Sequence, residues 1–565
     1  MQVQQRKLPS LLDDVRTGKL VIPDFQRDFV WTRKQVEELL NSVVNGYFVG
    51  TLLLLESPTS DLRFAPRLIP GVTADPKTHA SIAYILDGQQ RMTSLFYAFQ
   101  EPAIPLQDEP LPTRFFLNLN GNEVVGVQKI DDLVRRLYPD KEARKMLEKF
   151  SELLIQSTGV DIQRFPSMAS LASAEALTAY LGTRATSIEA GKRDELNRLL
   201  QSILDYEIAV VTLPFDTPDD EIVSTFERIN RLGTRLDIFD LAVARYYPLG
   251  IRLNDLKQKI ESSSGPVAIL EFLEPDALLR VMALTGGSEP KNKNLLGLVD
   301  LRGDRNKAQA EFYSRWESSR QSLEKAIVRM RDVYGAVKLR AKKNRISLIP
   351  YTSLAVPLAA LLREAELLGS TKAFYDKIDR WYWTAVFSGR YAHAVESQSY
   401  SDYKAVAAWL RSDVAVPDLA VDAANVITEI RKASRTSALA KAFYNLVILN
   451  GSTDFITGQP VRMEDCEVDH LFPASKYPAG AKNIFNLSVI HKDTNRKKSD
   501  KLPSDFLKIC LDSHSGDGAS LAATMKAHFV SAEALKAMEA NNLDAFTSAR
   551  EVAFQSALAQ RVMTR

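Results

Sequence analysis

The sequence predicts an α+β protein of several domains. Apolar runs of strand and helix type alternate through residues 1–250, helical spacing dominates residues 251–450, and residues 466–501 have the order strand, loop, strand, helix. A chain of 565 residues, 45% apolar and 25% charged, is long enough for about two to four domains with buried cores. We therefore predict three domains, at 1–250, 251–450 and 451–565.

The composition excludes several classes of protein. No apolar run reaches the length of about eighteen residues that a membrane helix needs, and the N-terminus has no apolar signal core. The two cysteines, Cys466 and Cys510, are too few for a disulfide framework. We expect a cytoplasmic protein without a membrane partner. The net charge of +2 is nearly balanced, so any nucleic-acid surface must be a local patch.

The first 56 residues predict two helices and a strand around an irregular segment. LPSLLDDVRTG has helical character, apolar residues repeat at helical spacing over 36–43, and residues 52–55 form a buried strand. Pro23 interrupts any helix, and the segment that follows presents Arg27 and Trp31. The structural interpretation of these two side chains is a salt bridge and a core ring.

SIAYILDGQQRMTSLFYAFQ predicts a strand at 82–86, a tight turn at Asp87 and Gly88, and a helix at 89–99. A helix that begins directly after a strand places backbone N–H groups and Arg91 where an anion can bind. Asp87 can cap the helix or hold a nucleotide ribose or a metal.

Residues 219–247, DDEIVSTFERINRLGTRLDIFDLAVARYY, predict two helices. The first has an aspartate cap and ends at Gly233, and the second begins near Asp237. Asn230 and Asp240 have two interpretations that stay open, a functional role or capping and loop bonding.

Residues 251–450 predict helices almost throughout, and one of them carries RWYWTAVFSGRY. Its aromatic side chains could stack on bases, but aromatic residues at helical spacing usually form a core. We favour the core.

Two basic patches are candidates for contact with nucleic acid. RAKKNR at 340–345 is interpreted as a solvated helix face. Arg496, Lys497, Lys498 and Lys501 follow the C-terminal motif directly and are better placed to meet phosphates.

Four polar residues of the stretch 466–501 suggest hydrolytic chemistry: Asp469, His470, Asn486 and Asn495. Neighbouring side chains on a strand point to opposite faces, so Asp469 and His470 can serve different partners. Asp469 can bind Mg²⁺ or Mn²⁺ through oxygen while His470 takes a proton from water, and Asn495 can supply a second oxygen ligand. The Asn486 amide can hold the imidazole or the loop in register. These groups together suit hydrolysis of a phosphodiester.

The same four residues resemble the HNH (ββα-metal) nuclease motif. The resemblance implies that Asp469 and Asn495 are metal ligands, His470 is the general base and Asn486 is the structural asparagine. Many members have histidine where this chain has Asn495, which weakens affinity for soft metals.

The N-terminal motifs IPDFQRDFVW and DGQQRMTSL, with residues 219–247, resemble a bacterial family whose first domain is ParB/sulfiredoxin-like. The resemblance implies binding or hydrolysis of a nucleoside triphosphate, ATP or GTP. The residues it implicates are Arg27, Asp87, Gly88, Gln89, Gln90 and Arg91, with Asn230 and Asp240.

Together, the DGQQR domain, the helical middle and the HNH unit resemble GmrSD-type modification-dependent (type IV) restriction endonucleases. The resemblance implies a phage-defence enzyme that cleaves modified double-stranded DNA, for instance glucosylated or hydroxymethylated, under NTP control. A homodimer would make double-strand cleavage easier, since one HNH site cuts one strand at a time. Two alternatives stay open, a nucleotide-sensing DNA-binding regulator and a non-discriminating nuclease toxin.

Overall fold

The computed structural model describes residues 2–26, 28–106, 109, 112–118, 123–128, 166–184, 190–218, 221, 238–262, 269–300, 303–340, 345–413, 416–451, 453–480 and 482–563. The chain divides into two compact units, Met1–Asn254 and Asp255–Arg565. The boundary predicted near residue 250 lies beside this division, and residue 450 lies within the second unit. The expected mixed α/β, multidomain class is confirmed.

The described residues of the first unit form eight strands and six helices before the boundary helix. The strands are β1 (Gln2–Lys7), β2 (Leu20–Pro23), β3 (Thr51–Pro58), β4 (Pro66–Arg67), β5 (Ser81–Asp87), β6 (Thr113–Asn118), β7 (Glu123–Gln128) and β8 (Glu207–Leu213). The helices are α1 (Leu8–Arg16), α2 (Arg33–Val44), α3 (Gln89–Gln100), α4 (Ala174–Arg184), α5 (Ala190–Leu204) and α6 (Ile238–Tyr246); α7 (Leu253–Glu261) crosses the boundary.

A mixed six-stranded sheet organises this unit, in the order β1, β8, β3, β5, β2, β4. The β8–β3 and β5–β2 pairs are parallel, and the other three pairs are antiparallel. β6 and β7 form a separate hairpin. Leu11, Val36, Leu40, Ile85 and Met92 join one buried apolar cluster, because the apolar stripes of α1, α2 and α3 face the strands.

The predicted helices and strands of the first hundred residues are confirmed by α1, α2, β3, β5 and α3. The apolar run YEIAVVTLPF contains the strand β8. Arg27, Asn230 and residues 129–165 lie outside the described residues.

The described residues of the second unit are mainly helical and carry four short strands, β9 (Lys338–Arg340), β10 (Arg345–Ser347), β11 (Cys466–His470) and β12 (Leu487–His491). The helices before β11 are α8 (Asp276–Thr285), α9 (Asn292–Leu295), α10 (Arg305–Asp332), α11 (Ala355–Leu367), α12 (Lys372–Phe387), α13 (Val395–Arg411), α14 (Ala423–Lys432) and α15 (Ala438–Leu449). Those after β12 are α16 (Lys492–Lys498), α17 (Pro503–Ser513), α18 (Gly518–Ala527), α19 (Ala532–Glu539) and α20 (Leu543–Met563).

The aromatic run of α12 belongs to the core, as predicted. Trp381, Tyr382 and Trp383 are fully buried or nearly so, and Trp381 Nε1 donates to Asp402 Oδ2 at 2.9 Å. Because these rings have protein partners on the inside of the unit, they are not presented for base stacking. None of the helices that the structure describes is long and apolar enough to cross a membrane.

The two described residues of the patch at 340–345, Arg340 and Arg345, lie on strands and not on the expected helix face. Its described ends belong to the antiparallel hairpin of β9 and β10, in which Arg340 pairs with Arg345 and Lys338 with Ser347. The local composition, with several good helix formers, favoured a helix, and tertiary pairing overrides that preference.

An aromatic cluster joins the helical region to the C-terminal elements. The Phe443 ring on α15 lies 5.4 Å from that of Phe485 and 5.1 Å from that of Phe554 on α20. Arg431 on α14 also donates from Nε to Glu551 Oε1 on α20 at 2.6 Å. The segments on either side of residue 450 therefore share one core within the second unit.

Candidate active site

The stretch 466–501 folds as two antiparallel strands followed directly by a helix. β11 pairs with β12 so that Asp469 faces Ser488 and His470 faces Leu487, and α16 begins one residue after β12 ends. Thr494 anchors α16 to the core, because its Oγ1 donates to the buried Asp454 Oδ2 at 2.5 Å. The strand, loop, strand and helix expected from the sequence are present, and they bring Asp469 and Asn495 to one cleft.

Asn495 contacts a carboxylate that the sequence analysis did not single out. Its Nδ2 donates to Glu467 Oε1 at 2.7 Å, and its Oδ1 is buried and accepts no hydrogen bond from the described residues. Glu467 lies two positions before Asp469 on β11, so both carboxylates are on the same strand face. That spacing was the signal that could have identified Glu467.

Asp469 accepts hydrogen bonds through one oxygen and faces a cation with the other. The His470 N–H donates to Oδ1 at 2.8 Å, and Lys498 Nζ lies 3.8 Å from Oδ2. Burial would raise the pKa of the Asp469 carboxyl, but the bonds from His470 and the Lys498 charge outweigh it and hold the pKa below its usual range. Asp469 is therefore an anion at neutral pH.

Lys498 departs from its predicted surface role. It is 2% exposed, and its Nζ donates to Ser499 O at 3.3 Å. Thr494 and Lys498 are four residues apart, so they share the inner face of α16. Burial lowers the pKa of Lys498, and the neighbouring Asp469 and Glu467 charges oppose that shift. Lys498 is thus a counter-ion inside the site.

His470 and Asp469 are in contact, rather than facing separate partners as expected. His470 Nδ1 lies 3.2 Å from Asp469 Oδ1 at the end of β11. A proton on Nδ1 would be donated to this carboxylate, which leaves Nε2 as the basic nitrogen. This arrangement suits an imidazole that accepts a proton from water.

Asn486 holds the loop rather than the imidazole. It is 0% exposed, its Oδ1 accepts from the Phe472 N–H at 2.8 Å, and its Nδ2 donates to Phe472 O at 3.0 Å and Gly480 O at 3.3 Å. The Asn486 carbonyl accepts from the Leu471 N–H at 2.8 Å. The side chain therefore fixes the chain directly after His470.

The donor set fits a hard cation. No group of three or more His, Cys, Asp or Glu side chains in the described ranges has metal-binding placement. Asp469 and Asn495 instead offer a carboxylate and an amide oxygen, and the Asn495 Oδ1 is buried and accepts no hydrogen bond from the described residues. Oxygen ligands of this kind suit Mg²⁺ or Mn²⁺.

A buried polar network stabilises β12 and the segment that precedes it. Arg550 donates to Phe485 O and Leu487 O, each at 2.6 Å, and to Ser488 Oγ at 3.3 Å. His528 lies 3.1 Å from Ser488 Oγ through Nδ1, and its Nε2 lies 2.8 Å from Thr453 O. Burial lowers the pKa of His528 to about 3 and that of Arg550 to about 9. His528 is therefore neutral, with Nε2 as the donor.

The remaining predicted DNA contacts lie on the surface of α16 and just beyond it. Arg496, Lys497 and Lys501 are exposed, and Arg496 pairs with Asp493. Lys501 Nζ donates to Lys497 O at 2.8 Å. Their contact with DNA stays a prediction.

In the first unit, Arg91 ties the turn after β5 to the segment before β3. Its guanidinium donates to Val49 O at 2.7 Å, Thr51 O at 2.9 Å and Asp87 Oδ2 at 3.2 Å. Gly88 caps α3 with φ +93°, and a Cβ there would lie 2.3 Å from a Leu52 methyl carbon. The turn therefore needs glycine for both its conformation and its packing.

The glutamines of this motif are also engaged with the protein. Gln90 Oε1 accepts from the Val30 N–H at 2.9 Å, and its Nε2 donates to Asp28 O at 3.0 Å. Gln89 is buried, and Asp240 is half-buried on α6. No side chain caps the N-terminus of α3, and Asp87 directly precedes its N-cap residue Gly88. These two features are what the structure offers to the predicted nucleotide site.

Comparison with known proteins shows a similarity for this first unit. Residues 8–247 match the family model of the GmrSD restriction endonuclease N-terminal domain. The match supports the GmrSD-type relationship and suggests a restriction-endonuclease-like function, with nuclease activity and a DNA substrate.

A second similarity extends across both units. The chain is 28% identical over 570 residues to the uncharacterized protein MJ0686 of Methanocaldococcus jannaschii, covering 94% of this chain and 92% of that protein. The C-terminal stretch 466–501 therefore lies in a chain whose overall extent is shared with that archaeal protein.

Proposed function

We propose that this protein is an endonuclease that cleaves DNA by metal-dependent hydrolysis at an HNH-type site formed by β11, β12 and α16. The observation that carries the proposal is the convergence of Asp469, His470 and Asn495, with an Asn495 Oδ1 that is buried and accepts no hydrogen bond from the described residues. A purely structural unit would gain nothing from an unsatisfied buried oxygen.

The chain's own groups have separate roles in this proposal. His470, oriented through Nδ1 by Asp469, accepts a proton from the attacking water at Nε2, a contribution of about 10²–10⁴-fold. Asp469 and Asn495 would hold Mg²⁺ or Mn²⁺, which supplies charge stabilisation at the phosphate and the leaving oxygen. Lys498 keeps the Asp469 carboxylate ionised, and Asn486 maintains the loop that follows His470.

We further propose that the protein acts in the cytoplasm as a type IV restriction enzyme on modified phage DNA, with ATP or GTP bound at the DGQQR motif. The match of residues 8–247 supports this proposal. The backbone N–H groups at Gly88 and the start of α3 would meet the phosphates, with Arg91 nearby, and Asp87 would hold the ribose or a metal. Two copies of the chain would supply the two cuts of a double-strand break.

The test compares the wild type with His470→Ala on modified phage DNA and unmodified plasmid, with Mg²⁺ or Mn²⁺, with and without NTP. His393→Ala is the matched control, because His393 is exposed and lies outside the site. We expect wild type and control to cleave modified DNA and His470→Ala to lose at least about 10²-fold in rate.

Three outcomes would change the assignment. Absence of cleavage by every variant, with DNA binding and NTP hydrolysis retained, would favour the regulator. Equal cleavage of unmodified DNA or of RNA would favour the nuclease toxin. Equal rates for His470→Ala and wild type would refute the assigned general base.

NTP coupling has its own test. Asp87→Ala should alter the NTP response of cleavage, whereas Asp61→Asn, at an exposed carboxylate of the same unit, should not. Unchanged cleavage and an unchanged NTP response in Asp87→Ala would rule out coupling through the DGQQR motif.

A further inference from the structure

The candidate active site opens into a cleft of about 450 Å³ within the second unit. One part of its lining consists of Glu467, Asp469 and Asn495. Three basic residues from outside the stretch 466–501 also line it: Arg340, Arg435 and Lys441. The acidic side chains of the candidate site thus share one cavity with three positively charged side chains.

The β9–β10 hairpin brings Arg340 to the cleft. Arg340 ends β9 and is exposed, and β9 packs beside β11, which carries Asp469. Arg345, across the hairpin, has a carboxylate partner, since its Nη2 lies 3.5 Å from Glu464 Oε2. Arg340 has no ion pair within the part of the chain that the structure describes.

Arg435 and Lys441 reach the cleft from the start of α15. The Tyr444 hydroxyl, on a buried ring, donates to Arg435 O at 3.3 Å, so the backbone is anchored while the Arg435 side chain stays exposed. Lys441 Nζ donates to Ile349 O at 3.1 Å. Like Arg340, Arg435 forms no ion pair with any described residue.

The carboxylates of the cleft do not neutralise these arginines. Glu467 accepts a hydrogen bond from Asn495, and Asp469 accepts one from His470 and pairs with Lys498. The arginines therefore keep their charge available to a ligand. A phosphodiester backbone, which carries regularly spaced anions, meets cations of this kind along a groove.

We propose that this cleft holds the backbone of the DNA strand being cut, with Arg340 and Arg435 contacting phosphates next to the scissile one. The inference deepens the proposed nuclease function and rests on it. It assigns the hairpin, which the sequence pattern presented as a solvated helix face, to substrate binding. Arg340 and Arg435 are binding residues here, and the chemical step stays with His470 and its neighbours.

The test measures DNA binding by the full chain separately from cleavage. The anisotropy of a short fluorescein-labelled DNA duplex is recorded in EDTA over a range of salt concentrations. The variants are Arg340→Ala, Arg435→Ala and the charge-retaining Arg435→Lys. Arg305→Ala is the matched control, since Arg305 is exposed, has no ion pair among the described residues and lies outside this cleft.

Each of the two alanine variants should bind more weakly than wild type. The slope of log K against log salt should fall in magnitude by about 0.9 for each lost phosphate contact. Arg435→Lys should recover most of the slope, and Arg305→Ala should match the wild type.

Two results would overturn the inference in different ways. Wild-type affinity and salt slope in both alanine variants, with cleavage intact in the wild type, would exclude the cleft as the phosphate track and leave the nuclease function standing. Failure of the wild type to bind or cut DNA would remove the proposed function as well. Loss of folding is checked by circular dichroism, and Arg435→Lys supplies the charge-retaining comparison.

Discussion

Replacement of Asn486 by alanine should destabilise the second unit, because this side chain is a structural bridge. Its amide satisfies three buried backbone groups, the N–H and C=O of Phe472 and the C=O of Gly480. Each buried group left without a partner costs about 1–3 kcal/mol. The 3.3 Å bond to Gly480 is long and adds less, so we expect a loss of roughly 3–5 kcal/mol in the free energy of unfolding.

Thermal unfolding followed by circular dichroism and urea unfolding followed by tryptophan fluorescence would measure this loss. A unit of this size loses roughly 2 °C in Tm per kcal/mol, so Tm should fall by about 6–10 °C. Asn486→Asp should also destabilise at neutral pH, because an anionic oxygen would replace the Nδ2 that faces two carbonyls.

Asn495→Ala is the matched comparison, since the Asn495 side chain bonds to the side chains of Glu467 and Asp469 rather than to buried backbone groups. It should unfold close to the wild type while losing nuclease activity. A wild-type Tm and urea midpoint for Asn486→Ala would refute the structural role of Asn486, and the residue would then have to act in the reaction itself.

Three further predictions concern metal binding and pH. Asn495→Ala should weaken Mn²⁺ binding about tenfold or more in calorimetric titration, in line with losses seen when a metal site is altered. His528, whose buried ring has a pKa of about 3, stays neutral in the folded state, whereas the unfolded chain takes up a proton below about pH 6.5. The free energy of unfolding therefore decreases as the pH is lowered, and it should be roughly 2 kcal/mol smaller at pH 5 than at pH 7.5. Burial raises the pKa of Asp24 to about 6, so the folded state keeps a proton that the unfolded chain releases near pH 4. Stability is therefore lost as the pH rises from about 4 to about 6. Asp24→Asn should stabilise the protein at pH 7.5 by at most about 3 kcal/mol and leave its stability unchanged below pH 4.

Each of these predictions has an outcome that contradicts it. Equal Mn²⁺ affinity in Asn495→Ala would exclude Asn495 as a ligand. The acid slope assigned to His528 should be absent in His528→Asn, even if that variant is less stable, and persistence of the slope would assign it elsewhere. Equal urea midpoints of Asp24→Asn and wild type at pH 7.5 would mean that Asp24 is not desolvated.

Local patterns predicted most elements but not their neighbours in space. The apolar spacing of α2 and the apolar run of β5 encode their own burial, so both were predictable. The pairing of β1 with β8 joins residues about two hundred positions apart, and no local pattern specifies it. The β9–β10 hairpin was missed because RAKKNR lacks a turn dipeptide such as Asn-Gly and contains helix formers.

In the candidate site too, local patterns identified individual residues but not all of their neighbours in space. Asp469, His470, Asn486 and Asn495 were selected from order and spacing, and the structure brings Asp469, His470 and Asn495 together. Lys498 was placed with its exposed neighbours because a seven-residue helix has too short a pattern to reveal an inner face. Arg435 could not be found from sequence, since its proximity to the site depends on how α15 packs.

The aromatic cluster of Phe443, Phe485 and Phe554 limits how this protein can exchange parts during evolution. Transfer of the C-terminal segment from residue 450 onward would leave Phe443 behind and carry Phe485 and Phe554 away from it. Arg431 and Glu551 would be separated by the same cut. Successful recombination would have to move α14 and α15 together with β11 and β12, so the inherited unit is larger than the motif proposed to perform the chemistry.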